Sequence, residues 1–155
     1  MKAASINDIK KELANHEYKD LLEYCLHLAK FKKENKELLG FLLFEAHDLS
    51  TFITRVKQEI EEQFLDINKS NVYFIKKSVR KILRNLTKKI RISMSAQAEA
   101  ELLIHFCNCI INYSIPIKDS RQLLNLYNNQ LKKIEKALSA LHPDLQYDLK
   151  RQMVL

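Results

Sequence analysis

Gly40 is the only glycine in a chain of 155 residues, and Pro116 and Pro143 are the only prolines. Hairpin turns and close backbone approaches rely on φ > 0 conformations, which glycine adopts without steric cost. A sheet-rich or α/β fold of this length needs several such positions, and this chain cannot supply them. Helices joined by short connections need few. The expected fold class is therefore all-α: an antiparallel multi-helix bundle or a short α-hairpin stack of about six to seven helices, forming a single helical domain over 1–155. Hydrophobic residues make up 46% of the chain, which suits a packed core rather than a disordered segment. At this length roughly 70% of the unfolded surface can be buried, so no disulfide or metal staple is required.

The shortage of glycine also removes functional classes. A P-loop, a dinucleotide-binding glycine pattern and a nucleophile elbow each need glycines at fixed spacing, and none is present. No carboxylate pair stands out for acid–base work. Glu101, His105 and Cys109 recur every four residues and line up on one helix face, with Cys107 pointing elsewhere. That is not the paired spacing of a zinc module, and the Glu-x-x-His repeat of a di-iron bundle is absent. The chain is expected to be no enzyme, with no catalytic residue, no cofactor and no metal.

Three cysteines, Cys25, Cys107 and Cys109, form no disulfide framework and point to a reducing compartment. Cys25 reads as a small buried hydrophobe. Ile6, Ile9 and Leu13 are interleaved with charge, so the opening residues read as a helix and not as a signal peptide. The longest apolar run, Leu38 to Phe44, is too short to cross a bilayer. A cytoplasmic location is expected.

Along the chain, Ser5 with Asp8 predicts an N-cap for a first short helix, and a second is expected from Tyr18 to Lys33 with Leu21, Leu22, Cys25, Leu28 and Ala29 on its buried side. From Lys36 to Ile67 a heptad runs through Leu39, Leu42, Ala46, Leu49, Ile53, Val56, Ile60, Gln63 and Ile67, apolar at all but Gln63, which predicts one long helix. Phe41, Phe44, Phe52 and Phe64 widen its apolar face. Gly40 within it marks either a break or close crossing, or a tolerated glycine costing about 1 kcal/mol. After a turn at Asn68–Asn71 come a fourth helix to Ile92, a break at Ser93–Ser95 and a fifth helix to Tyr113. Asp119 with Gln122 fits a capping box for a sixth helix, whose seam is Leu124, Tyr127, Leu131, Ile134, Leu138 and Leu141. Pro143 suits the first position of a last helix.

One element is polarised. Between Asp66 and Glu99 there are nine basic residues and no acid, a local charge of +9 in a chain whose net charge is +7. The basicity is thus confined to the fourth helix. At about 100° per residue, Val72, Ile75, Val79, Ile82, Leu83, Leu86 and Ile90 share one face. Lys76, Lys77, Arg80, Lys81, Arg84, Lys88 and Arg91 share the opposite one. Like charges four residues apart repel by roughly 0.2–0.5 kcal/mol per pair, so this face carries a cost that glutamates would relieve. Those seven side chains are the candidate anion-binding residues, with nucleic acid the leading partner and an acidic protein or anionic lipid the others. Two alternatives stay open. Glu59, Glu61, Glu62 and Asp66 on the preceding helix are able to neutralise the stripe within the fold. The chain is also a candidate homo-oligomerising scaffold whose surplus apolar seams pack on a second copy.

The segment Ile9-Lys10-Lys11-Glu12-Leu13, followed by Asp20-Leu21-Leu22-Glu23 before a lysine-rich helix end, resembles the opening of a small all-helical bacterial protein family of unknown function. Ala100-Glu101-Leu102-Leu103-Ile104-His105-Phe106 and the Leu123–Leu138 helix are similar to its second half. The resemblance implies a helical fold and assigns neither an activity nor a functional residue.

Overall fold

The computed structural model describes residues 2–154. Among these residues the protein is entirely helical, without a strand. Its eight helices are α1 (Ile6–Leu13), α2 (Tyr18–Phe31), α3 (Lys33–Phe44), α4 (Leu49–Leu65), α5 (Val72–Ser93), α6 (Ala96–Asn112), α7 (Arg121–Ser139) and α8 (Pro143–Lys150). The expected number was six to seven, and the difference arises in one place. The long helix predicted over Lys36–Ile67 is two helices, because Asp48 caps a new one. Its carboxylate accepts hydrogen bonds from the Thr51 amide at 3.1 Å and the Thr51 hydroxyl at 2.6 Å. Those bonds hold the Asp48 carboxyl below its ordinary pKa. An N-cap aspartate satisfies amides that would be orphaned at a helix start, and so stabilises the break. Ala46 and Leu49 keep the heptad intact across the break, so periodicity alone does not register it.

The helices sort into two compact units, Met1–Phe44 and Glu45–Leu155, with the division falling at this break.

In the second unit α6 is the central element, packed against α4, α5, α7 and α8. Its sequence explains the position. Ala98, Ala100, Leu102, Leu103, Ile104, Phe106, Cys107, Cys109 and Ile110 are all buried and, at about 100° per residue, span about two-thirds of the circumference, with Glu101, His105, Asn108 and Asn112 on the remainder. An apolar arc that wide needs several neighbours to cover it. Phe64 from α4 meets Phe106 at 5.7 Å between ring centroids and stacks on Tyr113 at the same distance. In α7 the cap is Ser120, not Asp119; its hydroxyl accepts from the Leu123 amide at 3.3 Å. The buried stripe accordingly starts at Leu123 and includes Gln130, Ile134, Ala137 and Leu138, while Leu124 is exposed. Pro143 opens α8 as expected.

The first unit contains α1, α2 and α3. The Ser5–Asp8 capping box closes in both directions. Phe41 is the one buried side chain of this unit among the described residues. Leu22, Leu28 and Cys25, expected on the buried side of α2, are exposed, as is Phe44. The predicted stripe is present, but no further layer of this unit covers it.

Glycine is misplaced for helix stability. Gly40 lies inside α3, and a Cβ added there meets nothing within 4 Å, so it is a tolerated interior glycine and not a close crossing. Meanwhile the left-handed positions at Met94 (φ 48°) and Ser114 (φ 55°) carry side chains. Met94 ends α5, where glycine usually stands. Gly40→Ala and Met94→Gly are each expected to raise stability by about 0.5–1 kcal/mol, read as higher thermal midpoints.

Candidate anion-binding face

Helix α5 starts cleanly because the Asn71 side-chain oxygen accepts from the Phe74 amide at 3.0 Å. Its apolar face is then buried at Ile75, Val79, Ile82 and Leu86, against α4 and α6. Val72 is exposed, and Leu83 and Ile90 are half-buried, so the covered stripe is narrower than the projection predicts. The rotation of the helix is set by this stripe, and it directs the opposite face outward.

All seven candidate residues lie on that opposite face. Lys77, Arg80, Lys81, Arg84, Lys88 and Arg91 are exposed, and Lys76 is half-buried. The fifteen residue-to-residue steps from Lys76 to Arg91 correspond to about 22 Å of helix. Lys77, Lys81, Arg84 and Arg91 make no ion pair with a carboxylate among the described residues. Lys76 and Arg80, one turn apart, converge on a neutral acceptor. The Gln122 side-chain oxygen at the start of α7 accepts from Lys76 Nζ at 3.0 Å and from Arg80 Nη2 at 3.3 Å.

Two acids of α4 have defined partners. Glu59 pairs with Arg55 of its own helix and with Lys89, which flanks the core side of α5. Arg55 is held further by Glu45 at 2.6 Å. Glu61 faces His105 at 3.3 Å. Lys69 donates to the Tyr113 carbonyl at 2.6 Å. Lys69 and Lys89 of the basic run are thus engaged by acceptors of the fold, as are Lys76 and Arg80 among the seven through Gln122. Gln122 was assigned to a capping box from sequence, and its contact with α5 spans more than 40 residues. No local pattern in the chain marks it.

At the start of the face Tyr73 is 65% exposed, with its ring edge-on to Phe74 at 5.5 Å between centroids. These two rings contact each other and do not form an extended stacking platform.

Glu101, His105 and Cys109 do not converge as a set. Glu101 and His105 are half-buried, Cys107 and Cys109 are buried, and no group of three or more metal-ligating side chains gathers among the described residues. Burial pushes the Cys107 and Cys109 thiols up to about 12, which suppresses the reactive thiolate. No helix among the described residues is long and apolar enough to cross a membrane. Comparison with protein-family models, curated proteins and solved structures finds no match to this chain.

His105 sets a pH dependence of stability. Burial lowers its pKa, and Glu61 opposes the shift only in part. The unfolded chain therefore binds more protons than the folded one below the ordinary histidine value of about 6.5. Stability is present above that pH and falls as the solution is acidified. Urea midpoints measured from pH 7.5 to 5.5 should decline, and His105→Gln should flatten the slope.

Proposed function

We propose that the outward face of α5 is an electrostatic docking surface for the phosphate backbone of a nucleic acid. The protein then acts as a non-enzymatic, cytoplasmic helical module, with α4–α8 as the bundle that holds α5 in place. One observation carries this reading: Lys77, Lys81, Arg84 and Arg91 on the outward face of α5 are exposed and make no ion pair with a carboxylate among the described residues, while Glu59 engages Lys89 on the flank. Like charges at i,i+4 weaken a helix, and their retention over four turns is explained by a ligand that relieves them. Beside the cationic face Tyr73 and Phe74 contact each other and offer no extended stacking platform, so the binding proposed is backbone-driven and tolerant of sequence.

Salt titration tests this directly. If about five phosphates are neutralised, the affinity for duplex DNA falls with a log–log slope near −4.5. A slope near zero, or no binding at low salt, removes the nucleic acid. Salt-sensitive binding to an acidic protein alone would transfer the face to that partner.

The second reading, a homo-oligomerising scaffold, is favoured by a separate observation: the exposed apolar side chains of the first unit.

A further inference from the structure

Helix α2 divides sharply when projected at about 100° per residue. Lys19, Asp20, Glu23, His27 and Lys30 share a polar arc of about 100°. Apolar side chains fill an arc of about 220°, running from Phe31 and Tyr24 through Leu28 and Cys25 to Leu22 and Leu26. One packed neighbour covers roughly 100° of a helix, and within this unit that neighbour is α3. The remainder is open: Leu28 is 58% exposed and Phe31 71%. The second half of α3, Leu38 to Phe44, has apolar side chains on every side, yet Leu42 is 52% exposed and Phe44 73%. Between the two helices lies an open groove lined by Cys25, Leu28 and Ala29 from α2 and Leu38, Leu39 and Leu42 from α3. The polar residue in the groove is Asn35, and its Nδ2 is already satisfied by the Leu28 carbonyl at 2.8 Å.

We propose that this groove closes on the same groove of a second copy, the two α2/α3 hairpins forming a four-helix core across a two-fold axis. Three features select a second copy. A two-fold interface sets each patch against itself, so a charge near the axis meets its own kind. The groove lining carries no charge, and Met1–Phe44 is almost neutral, with eight lysines against seven acids, whereas the chain's excess charge lies beyond it. The size also fits. With α2 about 21 Å long and two helices side by side about 20 Å wide, the face covers roughly 400 Å² in projection. Its relief of leucine and phenylalanine side chains brings it toward the roughly 800 Å² per partner of a stable interface. Finally, a unit of this size with one buried side chain has no core of its own, and small units of this kind are stabilised by oligomerisation.

The test uses the full chain. Sedimentation equilibrium at tens of micromolar is expected to give a two-chain mass at both 0.15 and 1 M NaCl. Cys25, exposed in the single chain and part of the groove lining, should react with a maleimide in protein diluted until the chains separate and be protected at tens of micromolar. Leu28→Glu with Leu42→Glu places like charges on the axis and weakens association by at least about a hundredfold. Because two glutamates also risk unfolding the hairpin, the protection of Cys25 in the wild-type chain decides independently. A monomer at that concentration, a dimer whose Cys25 reacts as fast as in the dilute chain, or a dimer that survives both glutamates overturns the proposal.

Discussion

Replacing Arg80, Lys81 and Arg84 with glutamate is expected to abolish the proposed DNA binding while leaving the protein as stable as before, or slightly more so. The two effects have opposite signs for a physical reason. All three side chains are exposed on the outward face of α5, so no core contact is lost. The substitution turns three repulsive i,i+4 pairs into attractive ones: Lys76 with position 80, Lys77 with position 81, and position 84 with Lys88. Each contributes about 0.2–0.5 kcal/mol, enough to raise the thermal midpoint by a few degrees. Binding responds in the other direction. Three of about five phosphate contacts become repulsive, and the affinity at 50 mM salt should fall by about 10³-fold or more, with the residual salt slope shrinking to about −2. Fluorescence anisotropy with a labelled duplex measures the first effect and calorimetry the second. Unchanged DNA affinity in the triple variant would retire α5 as the docking face. A loss of binding together with a loss of helicity would point to structure instead of charge.

The all-helical class was legible from glycine and proline scarcity, because that constraint acts on every turn of the chain. The core side of α5 was legible too: Ile75, Val79, Ile82 and Leu86 follow helical spacing and are buried. The break between α3 and α4 was not, since the capping bond of Asp48 competes locally with a heptad that runs through it. The exposure of Cys25 and Leu28 was also not legible. Periodicity shows which residues share a face, but whether the face is covered depends on elements far away in sequence. Gln130 shows the same limit. A polar residue was passed over as a seam position, yet it is buried in α7 with its amide donating to the Leu126 carbonyl. On the candidate site, sequence identified the seven cations, while the pairing of Glu59 with Lys89 and the convergence of Lys76 and Arg80 on Gln122 required the fold. These contacts show where the chain satisfies part of its own charge.

Phe106→Ala is expected to be the most damaging single substitution in the second unit. Phe106 is fully buried in α6, the helix that touches α4, α5, α7 and α8. Its ring meets Phe64, which is itself stacked on Tyr113. Truncation leaves a cavity beside the Phe64 ring, in a helix packed against four others, where collapse is limited. The cost of such a change is about 3–5 kcal/mol, a large share of the roughly 5–15 kcal/mol that holds a domain folded. At about 4 °C per kcal/mol for a unit of this size, the thermal midpoint should drop by about 12–20 °C. DNA affinity measured well below that midpoint should change by less than about twofold, because the core substitution touches no cation. The two variants therefore form a crossed pair, one losing binding with its stability kept and the other losing stability with its binding kept. A Phe106→Ala protein that is still folded but has lost binding would mean that α5 depends on fine core packing for its charge display, and not simply on being an outward-facing helix.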